Sequence, residues 1–246
     1  MVKTVSLWLL ILTVLLLGYS CDTGSSDRPG AYLGQLPPGD IPELFAPGIV
    51  SNALFNRDIT FSPDGNEIYF GVVIGQFKYT AIMVTRRTKS GWSQPEVVPF
   101  AENPEWKTLE PCISPDGKRF FFFSTRPDIT AGDSVPGDED IWVMDKTASG
   151  WSEPYNLGQP VNSVDEEYYP SVTREGTIYF TRQEKGSPIG FIYRSRYVDG
   201  RYTEPVRLPE EVNSGQAQYN AFIAPDESYL IVPTYGREDS YGATDY

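Results

Sequence analysis

Asp58-Ile-Thr-Phe-Ser-Pro-Asp-Gly65 runs into Glu67-Ile-Tyr-Phe70, and this stretch is written again three times down the chain. Glu110-Pro-Cys-Ile-Ser-Pro-Asp-Gly117 leads into Arg119-Phe-Phe-Phe-Phe123, and Tyr169-Pro-Ser-Val-Thr-Arg-Glu-Gly176 into Thr177-Ile-Tyr-Phe180. Asn220-Ala-Phe-Ile-Ala-Pro-Asp-Glu227 leads into Tyr229-Leu-Ile-Val232. From Pro63 to Pro115, Arg174 and Pro225 the steps are 52, 59 and 51 residues. A second marker keeps the beat: Trp92-Ser-Gln-Pro95, Trp151-Ser-Glu-Pro154 and Tyr202-Thr-Glu-Pro205, spaced 59 and 51. Two markers in step establish an internal repeat.

Each unit reads as four short strands. The Pro-Asp-Gly triplet is a tight turn, because Pro presets φ and Gly accepts positive φ. The aromatic run after it is apolar on both faces and is therefore expected to be buried on both. Third strands follow at Ala81-Ile-Met-Val84, Asp140-Ile-Trp-Val-Met144 and Phe191-Ile-Tyr193. A Gly-containing hairpin such as Ser149-Gly150 then leads to a fourth strand carrying Trp-Ser-x-Pro, where an outer edge tolerates proline. No 3.6-residue apolar spacing supports a helical solenoid. The predicted fold is all-β, a β-propeller of four-stranded antiparallel blades.

The units resemble the TolB-type WD40-like β-propeller repeat, through Ser62-Pro63-Asp64-Gly65, Ser114-Pro115-Asp116-Gly117, Asp140-Ile141-Trp142 and the two Trp-Ser-x-Pro motifs. The likeness covers residues 42–246. Blade three departs from it with Thr-Arg-Glu-Gly, and blade four with Glu227 in place of the glycine. The resemblance implies a fold shared by many secreted or lipid-anchored bacterial proteins, and it specifies fold far better than function.

The expected organisation is a signal peptide over 1–20, a tether over 21–41 and a propeller over 42–246. Within the propeller, 42–57 is an orphan outer strand, 58–109, 110–168 and 169–219 are blades, and 220–246 is a partial fourth. Pro42-Glu-Leu-Phe-Ala-Pro-Gly-Ile-Val-Ser51 matches Pro154-Tyr-Asn-Leu-Gly-Gln-Pro-Val-Asn-Ser163, the outer strand that precedes blade three. The expectation is about three and a half blades of a five-bladed ring, roughly 60–70 residues short of closure. In this chain residues 42–51 would then lie loosely and blade one's free face would be open; an open arc is the alternative.

Of 246 residues, 33 are acidic and 20 are Lys or Arg, giving a net charge of −13, and His is absent. The acid excess argues against nucleic acid as a partner. The missing His removes Ser-His-Asp and Cys-His catalysis and His-ligated metals. No phosphate loop, nucleophile elbow or HExxH motif occurs, so no cofactor is expected.

Lys3, the apolar run Val5–Leu17 and Gly18-Tyr19-Ser20 before Cys21 resemble a bacterial lipoprotein signal, which implies lipidation of Cys21. The expected location is the cell envelope, anchored to the membrane by lipid and facing the periplasm or the cell surface; plain secretion is the alternative. Cys112 then has no disulfide partner and reads as a small buried hydrophobe.

Candidate ligand-binding residues come from the ends of the first hairpins. Glu110 is expected to face Arg126 in blade two, and Glu167 with Tyr169 to face Arg182 in blade three. These read either as a ring of charges around the channel mouth or as pairs that lock blades. Trp106 and Tyr219, in loops leading into first strands, are candidate aromatic platforms. Asp133, Asp138 and Asp140 lie in an acidic loop that reads either as a weak calcium candidate or as solvated surface. The first functional reading is a non-catalytic envelope platform for protein or glycan ligands. A glycan-active enzyme working on paired carboxylates is the second.

Overall fold

The computed structural model describes residues 31–37 and 39–245. The signal peptide, Cys21 and much of the tether lie outside the described residues.

The architecture is all-β, arranged as propeller blades. Blade one is built from Phe55–Phe61, Glu67–Ile74 and Tyr79–Thr88, each antiparallel to the next. Its outer strand is split. Gly91–Trp92 pairs with the far end of Tyr79–Thr88, and Glu96–Val97 pairs with its middle. The break falls on Ser93-Gln-Pro95, where proline has no N–H to give to a ladder. Blade two repeats this with Thr108–Ile113, Arg119–Ser124, Asp140–Thr147 and the divided outer strand Gly150–Trp151 and Tyr155–Asn156. Blade three uses Glu166–Val172, Ile178–Gln183, Gly190–Ser195 and Val206–Arg207. In blade four, Phe222–Ile223 pairs with Leu230–Ile231, while Thr234–Tyr235 pairs with both Ala217–Gln218 and Thr244–Asp245.

The aromatic second strands explain why the blades stack. Successive side chains of a strand point to opposite faces. Phe120 and Phe122 therefore pack toward blade one with Tyr69, Ile82 and Val84, while Phe121 packs toward blade three with Val172, Ile178 and Phe180. All three phenylalanines are fully buried, each stabilising its interface by roughly 1.5–3 kcal/mol. Trp92 is buried too, and Trp151 is partly buried with its indole N–H donating to the Tyr69 hydroxyl across blades at 3.3 Å.

The Pro-Asp-Gly turns form as read. Gly65 N–H donates to Ser62 O at 2.8 Å with Gly65 at φ +69°, and Gly117 repeats both features. Blade four keeps the same backbone with Glu227 at φ +58°.

Residues 31–51 differ from expectation. No ladder forms over 42–51 beyond an isolated bridge between Pro47 and Ser51. The segment nevertheless packs closely: Leu33, Ala46, Ile49 and Val50 are buried against Ile68, Phe70, Val72 and Trp92. Blade one's outer face is thus covered in part, because those four apolar side chains find the apolar surface an adjoining blade would otherwise occupy. A groove of about 410 Å³ remains beside it, lined by Phe45, Ile59, Phe61 and Arg57 among others.

Candidate functional site

The four inner strands meet around a central cavity of about 300 Å³. Each carries the same irregularity. Asp58, Glu110, Tyr169 and Asn220 hold left-handed backbone at φ +53°, +60°, +53° and +52°. In the first three blades the ladder register slips across this residue, between Arg57 and Ile59, Leu109 and Cys112, and Tyr168 and Ser171. These are β-bulges, which re-aim a side chain out of the strand's alternation. Pro111 and Pro170 follow directly, on an inner strand whose cavity side lacks a ladder neighbour.

Three of the bulge residues meet around one guanidinium. Arg57 donates from Nη2 to Glu110 Oε1 at 2.8 Å and from Nε to Asp58 Oδ2. The second Glu110 oxygen accepts the Tyr169 backbone N–H at 2.7 Å. Glu110 is 4% exposed, so burial pushes its carboxyl well above the usual range, and the nearby Asp58 charge adds to this against the pull of Arg57. Burial raises Asp58 as well, opposed by Arg57. Burial alone would lower Arg57, but Glu110 and Asp58 outweigh it. The cluster is one cation holding two carboxylates, a net negative charge when all are ionised.

The expected Glu110–Arg126 pair does not form among the described residues. Thr108 pairs with Ser124, which places Glu110 deeper along the strand, opposite the phenylalanines, and the bulge turns it toward Arg57 of the neighbouring blade. In blade three Glu167 is the direct register partner of Arg182, and the two ion-pair at 2.7 Å with Glu167 fully buried. Glu167 therefore corresponds to Thr108, and Tyr169 to Glu110. Arg126 donates instead to the Phe100 carbonyl and stands over the rings of Trp106, Phe122 and Trp142. Tyr219 shares a hydrogen bond with Thr244 at 3.0 Å and so belongs to the fabric of blade four.

The acidic loop holds no group of three metal-ligating side chains among the described residues. Asp133 is exposed, Asp138 pairs with Lys185 at 2.7 Å, and Asp140 accepts from Asn156 at 2.7 Å. Cys112 lines the cavity, but burial pushes its thiol up to about 12, which removes it as a nucleophile at neutral pH. Arg57, Asp58 and Asn220 were not singled out from the sequence. The signal that marks them is positional: Asp58, Glu110, Tyr169 and Asn220 each open the repeated motif on the same beat.

No protein-family model matches the sequence, and no curated protein matches it. Among solved structures, a Mycobacterium tuberculosis puromycin-hydrolyzing peptidase aligns with a TM-score of 0.51 and 11% identity, over 75% of this chain and 26% of that chain. A puromycin hydrolase aligns over the same shares with a TM-score of 0.49 and 14% identity. A structure of prolyl endopeptidases gives 0.35 and 13%, over 73% of this chain and 26% of that chain. The chain thus spans about a quarter of the length of the solved structures it matches. At this identity the likeness establishes the fold alone. Against the expectation of a non-catalytic platform stands the fold match to a puromycin-hydrolyzing peptidase, a catalytic protein. The glycan-active alternative gains nothing from it.

Proposed function

We propose that this propeller is the substrate-admitting part of a peptidase-class hydrolase, and that its central cavity receives the ammonium group of a short peptide or aminoacyl amide. The observation that carries the reading is the Arg57–Asp58–Glu110 cluster, whose Asp58 and Glu110 line the cavity and share one cation. A ligand ammonium group arriving there supplies the second positive charge and favours the ionised form of both acids. The 246 residues contain no His, so a histidine-assisted nucleophile would draw its histidine from elsewhere.

The finer reading of the repeat as TolB-type rests on the Ser-Pro-Asp-Gly and Trp-Ser-x-Pro motifs. Envelope anchoring through a lipid on Cys21 rests on the N-terminal pattern. Among the described residues no helix is long and apolar enough to cross a membrane. Cys21→Ser should release the protein from membrane fractions, and unchanged fractionation would exclude the anchor.

The test of the cavity is equilibrium titration of the purified chain with puromycin, a free-amine aminoacyl amide, and with its N-acetyl derivative. Saturable binding of the amine, weakened at least tenfold by acetylation and by Glu110→Gln, is expected. Equal binding of both compounds, or none to folded protein, would overturn the reading.

A further inference from the structure

Blades two and three each seat an arginine against the same pair of aromatic positions, and only one of the two finds a carboxylate. In blade three the Arg182 guanidinium lies 5.6 Å from the Phe180 ring centre and 5.0 Å from that of Tyr193, which are register partners. It donates to the carbonyls of Pro160 and Val161 and to Glu167. In blade two Arg126 lies 5.0 Å from Phe122 and 5.2 Å from Trp142, again register partners, and Nη2 donates to the Phe100 carbonyl at 2.5 Å. Where blade three has Glu167, blade two has Thr108. Its hydroxyl lies 3.1 Å from that of Ser124, which accepts the Arg126 Nε–H at 3.2 Å.

Arg126 thus has the seat of a structural arginine without the counter-charge. Among the described residues no carboxylate forms an ion pair with it, and neither N–H of Nη1 donates to any of them. Trp106 closes the wall at 5.9 Å, and the indole N–H groups of Trp106 and Trp142 are buried without an acceptor. Two buried indole donors and the Nη1 edge of Arg126 are thus left without a partner among the described residues, in a protein of net charge −13. Burial pulls Arg126 down to about 10, opposed by Glu153, as expected of a desolvated cation short of partners.

We propose that Arg126 is a receptor for a carboxylate presented by a ligand from outside the chain. The aromatic wall holds the guanidinium plane, and the Phe100 and Ser124 oxygens fix its rotation. The Nη1 edge is left for a planar acceptor, the geometry in which arginine binds carboxylate most strongly. The ligand oxygens take the role that Glu167 plays toward Arg182. The inference does not depend on the hydrolase reading, since it uses none of Arg57, Asp58 and Glu110 and concerns the opposite ligand charge.

N-acetyl-alanyl-alanine and its C-terminal amide are the probes, followed by calorimetry and by tryptophan fluorescence, because two indoles flank the site. The acid should bind saturably and the amide at least tenfold more weakly. Arg126→Gln should lose acid binding at least tenfold, whereas Arg87→Gln, an exposed arginine with the same charge change, should not. Arg126→Lys, which keeps the charge and loses the fork, should bind several-fold more weakly. Equal binding of acid and amide by folded wild type, absence of saturable acid binding, or unaltered affinity in Arg126→Gln would each overturn the proposal. If Arg126→Gln does not fold, the acid–amide comparison and Arg126→Lys decide it.

Discussion

Arg57 and Glu110 stand 53 positions apart in the sequence, on inner strands of adjacent blades, and their charged groups meet at 2.8 Å. The contact exists because both blades interrupt the inner strand with a bulge at the same place. That irregularity turns Glu110 out of its own hairpin and toward its neighbour's guanidinium. The pair therefore reports on blade docking as well as on the cavity wall.

Arg57→Met should be the costlier half of this pair to remove. It strands two buried carboxylates, at a cost of about 3–5 kcal/mol near neutral pH. Glu110→Gln should cost less, because Arg57 keeps Asp58. Both acids sit above their ordinary values in the folded protein, so each takes up a proton more readily folded than unfolded. The Arg57→Met penalty should accordingly grow as pH rises above the ordinary carboxylate range and shrink below it. Urea unfolding at pH 4.5 and 7.5 measures this, and an equal loss at both would count against the buried cluster.

Asp140 offers a cleaner pH dependence. Burial moves it from 3.8 to about 6, with the Asn156 hydrogen bond opposing and the charges of Glu167 and Asp138 adding. One of its oxygens is buried without a donor. Stability contributed by the protonated folded form is complete below about 3.8 and is lost as pH rises through about 6. Asp140→Asn should thus raise Tm at pH 8 and leave it nearly unchanged at pH 4. A gain of the same size at both values would show that charge is not the cause.

Leu33 tests the cover over blade one. It is fully buried, from a short 3-10 turn at Ala31–Gly34, against side chains of blade one. Leu33→Ala should cost about 2–5 kcal/mol by leaving a cavity. It should also increase binding of an apolar dye as the Phe70 and Val72 surface becomes accessible. Trp92→Ala, in the same cluster, should cost about 3–5 kcal/mol. If Leu33→Ala leaves stability within about 0.5 kcal/mol, as a surface change would, the segment is not bound to the blade.

The sequence alone determined the repeat, its strands and its turns, because these depend on neighbours along the chain. Proline and glycine set a turn locally, and a run such as Phe120 to Phe123 declares burial on both faces without reference to its partners. It also singled out Glu110, Arg126, Glu167, Arg182 and Trp106 as chemically significant. Only the tertiary structure decided who meets whom. A bulge is one residue of changed φ with no glycine to announce it, yet it shifts register and redirects every contact beyond it. That shift gave Glu110 to Arg57, while Glu167, which precedes the bulge, kept its register partner Arg182.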